Sequence, residues 1–114
     1  MTTPANVTLS VYRGDSASWE FALWHDTGRT LPVDLTGVTP KAEIRDRHGG
    51  TLMLELPLRV TLPNVIEAGL SSDDSNKLTR HKGVWDLQLT LPDSTVATVI
   101  AGAVFITPSV TDSA

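Results

Sequence analysis

From Val84 to Leu91 the chain alternates without a fault: Trp85, Leu87, Leu89 and Leu91 hold one set of positions, and Val84, Asp86, Gln88 and Thr90 the other. A period of two belongs to a strand, because successive side chains leave a pleated backbone on opposite faces; on a helix the same run would scatter its apolar residues all round. The pattern recurs along the chain. Val7, Leu9 and Val11 alternate with Thr8, Ser10 and Tyr12 over a first expected strand, Asn6 to Tyr12. Trp19, Phe21 and Leu23 alternate with Ser18, Glu20 and Ala22 over a second, from about Ala17 to Trp24. Val38 to Asp46 forms a third with Ala42 and Ile44 inward, and Pro40, which cannot donate to a ladder, puts its start at an edge or a bulge. Leu52, Leu54 and Leu56 mark a fourth, and two short pieces, Leu58 to Leu62 and Val65 to Ala68, flank Pro63-Asn64. Val96 to Ile106 is apolar at both sets of positions, which predicts a central strand covered on two sides and paired along both edges.

Turn-forming residues separate these runs: Arg13-Gly14-Asp15-Ser16, His25-Asp26-Thr27-Gly28, Arg47-His48-Gly49-Gly50 and Pro92-Asp93-Ser94-Thr95. Leu31 to Gly37 reads as an irregular connection crossing between sheets. Ser71 with Asp74 three residues on fits a capping box, so one or two turns of helix are expected from Ser71 to about Leu78. About seven short strands, with turn signals every 8 to 12 residues and no long helix, predict an all-β fold: an immunoglobulin-like antiparallel β-sandwich with one short helical turn. The expected organisation is a flexible segment over 1–5, the sandwich over 6–107 and a flexible tail over 108–114. Its core should contain Trp19, Phe21, Leu54, Trp85, Leu87, Leu89 and Ile100, each stabilising by roughly 1.5 to 3 kcal/mol through leaving water, with Trp85→Ala the costliest loss.

Composition narrows function. A chain of 114 residues buries one self-sufficient core. It has no cysteine, hence no disulfide framework, thiolate nucleophile or cysteine zinc site, which suits a reducing cytoplasm. The opening Met1 to Asn6 has no basic region leading into an apolar stretch, and no run approaches a membrane helix, so neither secretion nor a membrane is expected. The net charge is −4 and the nine basic residues are scattered, so nucleic acid is not an expected partner.

Chemistry-bearing patterns are sparse. His25, His48 and His81 sit beside turn residues without the spacing that brings two ligands to one metal. No Gly-x-Ser-x-Gly elbow or glycine-rich phosphate loop occurs, and Asp73-Asp74 lacks the spaced ligands of a calcium loop and reads as helix capping. No catalytic residue, cofactor or metal is assigned. Arg13-Gly14-Asp15 matches a tripeptide that integrins read, but a glycine between two turn formers has a sufficient structural role. Trp24 falls opposite Trp19, Phe21 and Leu23, hence on the outer face unless the strand bulges; tryptophan there is a common interface anchor, and a twisted strand end equally well tucks it under a loop. Tyr12, Arg13, Asp15 and Trp24 are therefore the candidate interface residues.

Five blocks, Arg13-Gly14-Asp15-Ser16, Asp34-Leu35-Thr36-Gly37, Ala42-Glu43-Ile44-Arg45, Gly83-Val84-Trp85-Asp86-Leu87-Gln88-Leu89 and Ala101-Gly102-Ala103-Val104, together resemble small phage and prophage tail-associated β-sandwich proteins. In order and spacing they are similar to the N-terminal domain of phage upper baseplate proteins, where an Arg-Gly-Asp turn follows the first strand and a Trp-Asp-Leu strand precedes the last hairpin. The resemblance spans nearly the whole chain. It implies a virion structural protein of a tail, baseplate or connector, made in the bacterial host cytoplasm. Such a protein acts by assembly with other virion proteins and as a homo-oligomer, and is not an enzyme. Two departures bear on this expectation. The turn at 92–95 lacks the glycine expected there, and upper baseplate proteins continue into a further region, which leaves tail or capsid decoration open as other stations. A carbohydrate- or receptor-binding module, with Trp24 stacking on a sugar, is the alternative; three Trp, two Phe and one Tyr, mostly claimed by the core, give it little aromatic surface.

Overall fold

Nearly every alternating run of the sequence is extended in the computed structural model, which describes residues 5–25, 28 and 30–108. The strands are β1 (Ala5–Asn6), β2 (Leu9–Tyr12), β3 (Ala17–Ala22), β4 (Thr39–Arg45), β5 (Leu52–Leu56), β6 (Leu58–Thr61) and β7 (Val65–Leu70). A short helix α1 (Ser72–Asn76) precedes the long hairpin of β8 (Lys82–Thr90) and β9 (Val96–Thr107). They form a six-stranded sheet in which β1 and β2 both lie along β9, followed by β8, β4 and β5, and a three-stranded sheet in the order β3-β7-β6. This is the immunoglobulin arrangement: β3, β7 and β6 stand where strands B, E and D do, and β9, β8, β4 and β5 where G, F, C and C′ do. The first strand lies wholly on the G side and runs parallel to it.

Residues 31–37 make the expected crossing from β3 in one sheet to β4 in the other, with Leu35 buried on the way. Pro40 behaves as its chemistry requires. Residues 39–41 of β4 pair with β8 alone, and pairing with β5 begins only at Ala42. At the cap of α1 the Ser71 side chain accepts from the Asp74 N–H at 3.1 Å, and the helix ends at Asn76, just short of the expected Leu78. Leu78 is nevertheless fully buried, so the helix serves to drop one side chain into the end of the core.

Several expectations need correction. The second strand stops at Ala22, and Trp24 makes only an isolated bridge to Pro32. β1 begins at Ala5, inside the segment expected to be flexible, because Ala5 pairs with Ile100. The remainder of the two expected flexible ends, apart from Pro108, lies outside the described residues. β9 has neighbours on both edges but is not covered on both faces: Val96 and Phe105 are exposed, since among the described residues no layer packs on the outside of the large sheet. The first expected strand is broken at Val7–Thr8 although its register against β9 is the same on both sides of the break.

That break has a cause. β9 carries Gly102 opposite the interruption, and a Cβ built there would overlap the Val7 carbonyl oxygen. The missing side chain lets the Val7 backbone sink toward the sheet, where its N–H donates to the Ala101 carbonyl at 3.0 Å. The Val7 carbonyl accepts the indole N–H of Trp85 at 2.9 Å, so the one polar atom of the largest core side chain is satisfied.

The core runs between the sheets through Leu9, Val11, Ile44, Leu56, Ile66, Leu70, Trp85, Leu87, Leu89, Ile100, Val104 and Ile106. Of the seven expected core residues, Trp19, Phe21 and Leu54 are half-buried at its margin and the other four are buried. Phe21 on β3 packs on Trp85 on β8 with ring centroids 5.5 Å apart and planes tilted by 30°. In antibody domains the corresponding strands are joined by a disulfide; here two aromatic rings span the sheets instead. The turn at 92–95 closes without a glycine by placing Ser94 at φ 71° and by accepting the Thr95 N–H on the Asp93 carboxylate at 2.9 Å.

Candidate interaction surfaces

The Arg13-Gly14-Asp15 turn is held from within. Gly14 is buried at φ 94°, a left-handed conformation that glycine adopts without cost. Its N–H donates to Ser75 Oγ at 2.8 Å and its carbonyl accepts from Ser72 Oγ at 2.6 Å, so the turn is clamped to α1. Arg13 Nε donates to the Leu78 carbonyl at 2.7 Å, and the Arg13 N–H donates to the Thr107 carbonyl at 2.8 Å. Arg13 thus has an internal task, the tying of a helix C-terminus to the first turn. Tyr12 and Asp15 face outward, Tyr12 with 61% of its surface exposed.

Trp24 lies at the other end of the sandwich. The full length of β3, about 20 Å for six residues, separates it from the Tyr12 and Asp15 group, so the four candidate residues do not form one patch. It is 36% exposed, beside a clamp in which the Leu23 N–H donates to the Asn64 carbonyl at 2.8 Å and Asn64 Nδ2 donates back to the Leu23 carbonyl at 3.0 Å. Exposed Leu62 adjoins this clamp across the turn between β6 and β7. Of the expected turn at 25–28, Asp26 and Thr27 lie outside the described residues.

The third surface was not picked out by sequence reasoning: the outer face of the large sheet. Register places Glu55, Glu43 and Asp86 side by side on β5, β4 and β8, with Ala101 next on β9. Arg45 pairs with Glu43 at 3.0 Å, and Lys41 lies 3.6 Å from Glu43 and 3.9 Å from Glu55. The β4–β5 turn, carrying Arg47 and His48, rises beside this row and encloses a shallow concavity of about 230 Å³. Asp86 sits in it with its carboxyl raised above the ordinary range, mainly by burial and then by the neighbouring Glu43, while Arg45 and His48 pull the other way. Asp34 and Asp93 are held below that range by hydrogen bonds from Thr36 and Thr95 in their turns. The signal for the acidic row was the outward parity of Glu43 and Asp86; their adjacency required the register.

His25, His48 and His81 are exposed on separate turns, and no helix of the described residues is long and apolar enough to cross a membrane. No protein-family model matches this sequence, and no curated protein matches it either.

Proposed function

We propose that this chain is a structural building block of a bacteriophage virion, in a tail, baseplate or connector, and that it works by protein–protein assembly and not by catalysis. One observation supports the reading most. The five sequence blocks that resemble tail-associated proteins are not scattered turns, for three of them are the adjacent strands β4, β8 and β9, in mutual register. Ala42 lies opposite Leu87, Ile44 opposite Trp85, Trp85 opposite Gly102 and Gly83 opposite Val104. The other two blocks are the turn clamped to α1 and the turn that leads into β4. The resemblance therefore follows one continuous structural unit.

A sandwich of this kind offers partners what assembly needs: a rigid core, strand edges able to pair, and an outer sheet face with fixed charge. Other virion proteins and further copies of the chain are the partners this reading assigns. It is tested by proteomics and cryo-electron microscopy of particles purified from the host whose phage or prophage encodes the chain. Stoichiometric presence with sandwich-shaped density on the tail is expected, and density on the head would move the chain to capsid decoration. Abundance in the lysate with absence from purified particles would overturn the reading.

A further inference from the structure

We propose that β3 is the seam along which two copies of this chain join, antiparallel about a two-fold axis, so that the small sheets of both become one six-stranded sheet. The inference rests on the strand edges of the fold and stands independently of the virion reading.

Sheet edges usually carry devices that discourage pairing: short length, proline, a bulge or a charged residue, lysine above all. β5 is five residues long, slips register against β4 at Ile44/Arg45 and runs into Pro57. β6 is four residues long, contains Arg59 and is bounded by Pro57 and by Leu62-Pro63. The β1–β2 edge is broken at Val7–Thr8. β3, Ala-Ser-Trp-Glu-Phe-Ala, is six residues long with no proline, no basic residue and no bulge; its single charge is Glu20, and it pairs with β7 alone among the described strands.

The direction of its free groups follows from two hydrogen bonds. The Leu23 N–H donates to the Asn64 carbonyl in the register of the β3–β7 ladder, so odd-numbered residues of β3 aim their N–H and C=O at β7. The Gly69 N–H donates to the Pro57 carbonyl in the β6–β7 register, which turns Ile66, Ala68 and Leu70 toward β3 and gives the same answer independently. Ser18, Glu20 and Ala22 therefore present their main-chain groups to the open side.

Two antiparallel registers pair five of the six residues of β3 with a second copy. One sets Glu20 against the other Glu20, although Glu20 already has Glu67 directly across from it on β7; like charges opposite one another on a sheet are destabilising. The other sets each Ser18 against Glu20 and places Trp19 on the axis facing its own copy. That register forms about four main-chain hydrogen bonds and gives Glu20 a hydroxyl donor in place of a carboxylate. It also covers Trp19, which is only half-buried at the margin of the core. The occupant this edge fits is a second copy in that register.

Sedimentation equilibrium of the full chain from micromolar to millimolar concentration tests the proposal, with expected monomer–dimer exchange. Ser18→Pro removes an outward donor that the β3–β7 ladder does not use, and should weaken the dimer tenfold or more while circular dichroism stays native. Because that variant can fail to fold, the cysteine-free chain offers a second readout. In the proposed register two Ser18→Cys positions lie about 8 Å apart and two Ala22→Cys positions about 20 Å apart. A short bis-maleimide should therefore link the first variant and not the second. A monomer at every concentration, a dimer indifferent to Ser18→Pro, or equal cross-linking of the two cysteine variants would overturn it.

Discussion

Gly102 determines how the first strand meets the last. Any side chain there collides with the Val7 carbonyl, which is backbone and cannot swing aside as a flexible side chain would. Gly102→Ala should therefore cost about 1–3 kcal/mol, the range for forcing extra atoms into a packed site. Gly69 is the control. It lies in β7 with nothing within 4 Å of its built Cβ, so Gly69→Ala should be neutral or stabilise by about 0.5 kcal/mol through a less flexible unfolded chain. Urea denaturation of both variants checks the contrast, and equal effects would mean that the close approach at Gly102 is not what constrains it.

Among the elements, α1 is far too short to be stable by itself and exists because it is used at both ends. Its N-terminus is capped by Ser71, and its face holds the first turn through Ser72 and Ser75. Ser75 is fully buried; its Oγ accepts from Gly14 and donates to the Ser72 carbonyl at 3.1 Å. Ser75→Ala should cost about 1–3 kcal/mol because it leaves the buried Gly14 N–H without an acceptor. Hydrogen exchange at the Gly14 amide should accelerate in that variant far more than exchange in β8. An unchanged Gly14 amide would show that the turn is held without the serine.

At the scale of the whole molecule, Trp85 joins three parts of the fold: the large sheet it belongs to, Phe21 on the opposite sheet and Val7 in the break between β1 and β2. Trp85→Ala should cost about 3–5 kcal/mol, a large part of the 5–15 kcal/mol that usually holds a domain together. Trp85→Phe keeps a ring against Phe21 but strands the Val7 carbonyl, so about 1–3 kcal/mol is expected, and thermal melts of the two variants separate packing from hydrogen bonding.

Stability should also depend on pH in two opposed ways. Asp86, raised in the fold, favours folding when protonated, so its contribution is present below its ordinary titration range and is lost as pH rises through the raised value. Asp34 and Asp93, lowered in the fold, contribute above their ordinary range and lose that contribution as pH falls through the lowered values. Asp86→Asn should accordingly raise the melting temperature at neutral pH and lose its advantage in strong acid. A variant that melts lower at neutral pH would show that the Arg45 and His48 attractions outweigh burial.

Strand identity, most turns, the helix cap and the inward residues of β8 were legible in the sequence because each depends on neighbours two to four positions away: alternation, a turn residue, a serine ahead of an acidic residue. Trp85 was legible as core for the same reason, although its partner Val7 was not. The anchoring of Arg13 and Gly14 was hidden because the groups that hold them, Ser72, Ser75 and Leu78, lie some sixty residues away. The acidic row of Glu55, Glu43 and Asp86 was likewise hidden, since parity says which face a side chain takes and only register says what stands beside it. Local rules on the chain thus determined the strands and the all-β class. Which strand the first one joins, which edge stays open and which charges meet were decided by the tertiary structure, because each depends on how segments far apart in sequence are aligned.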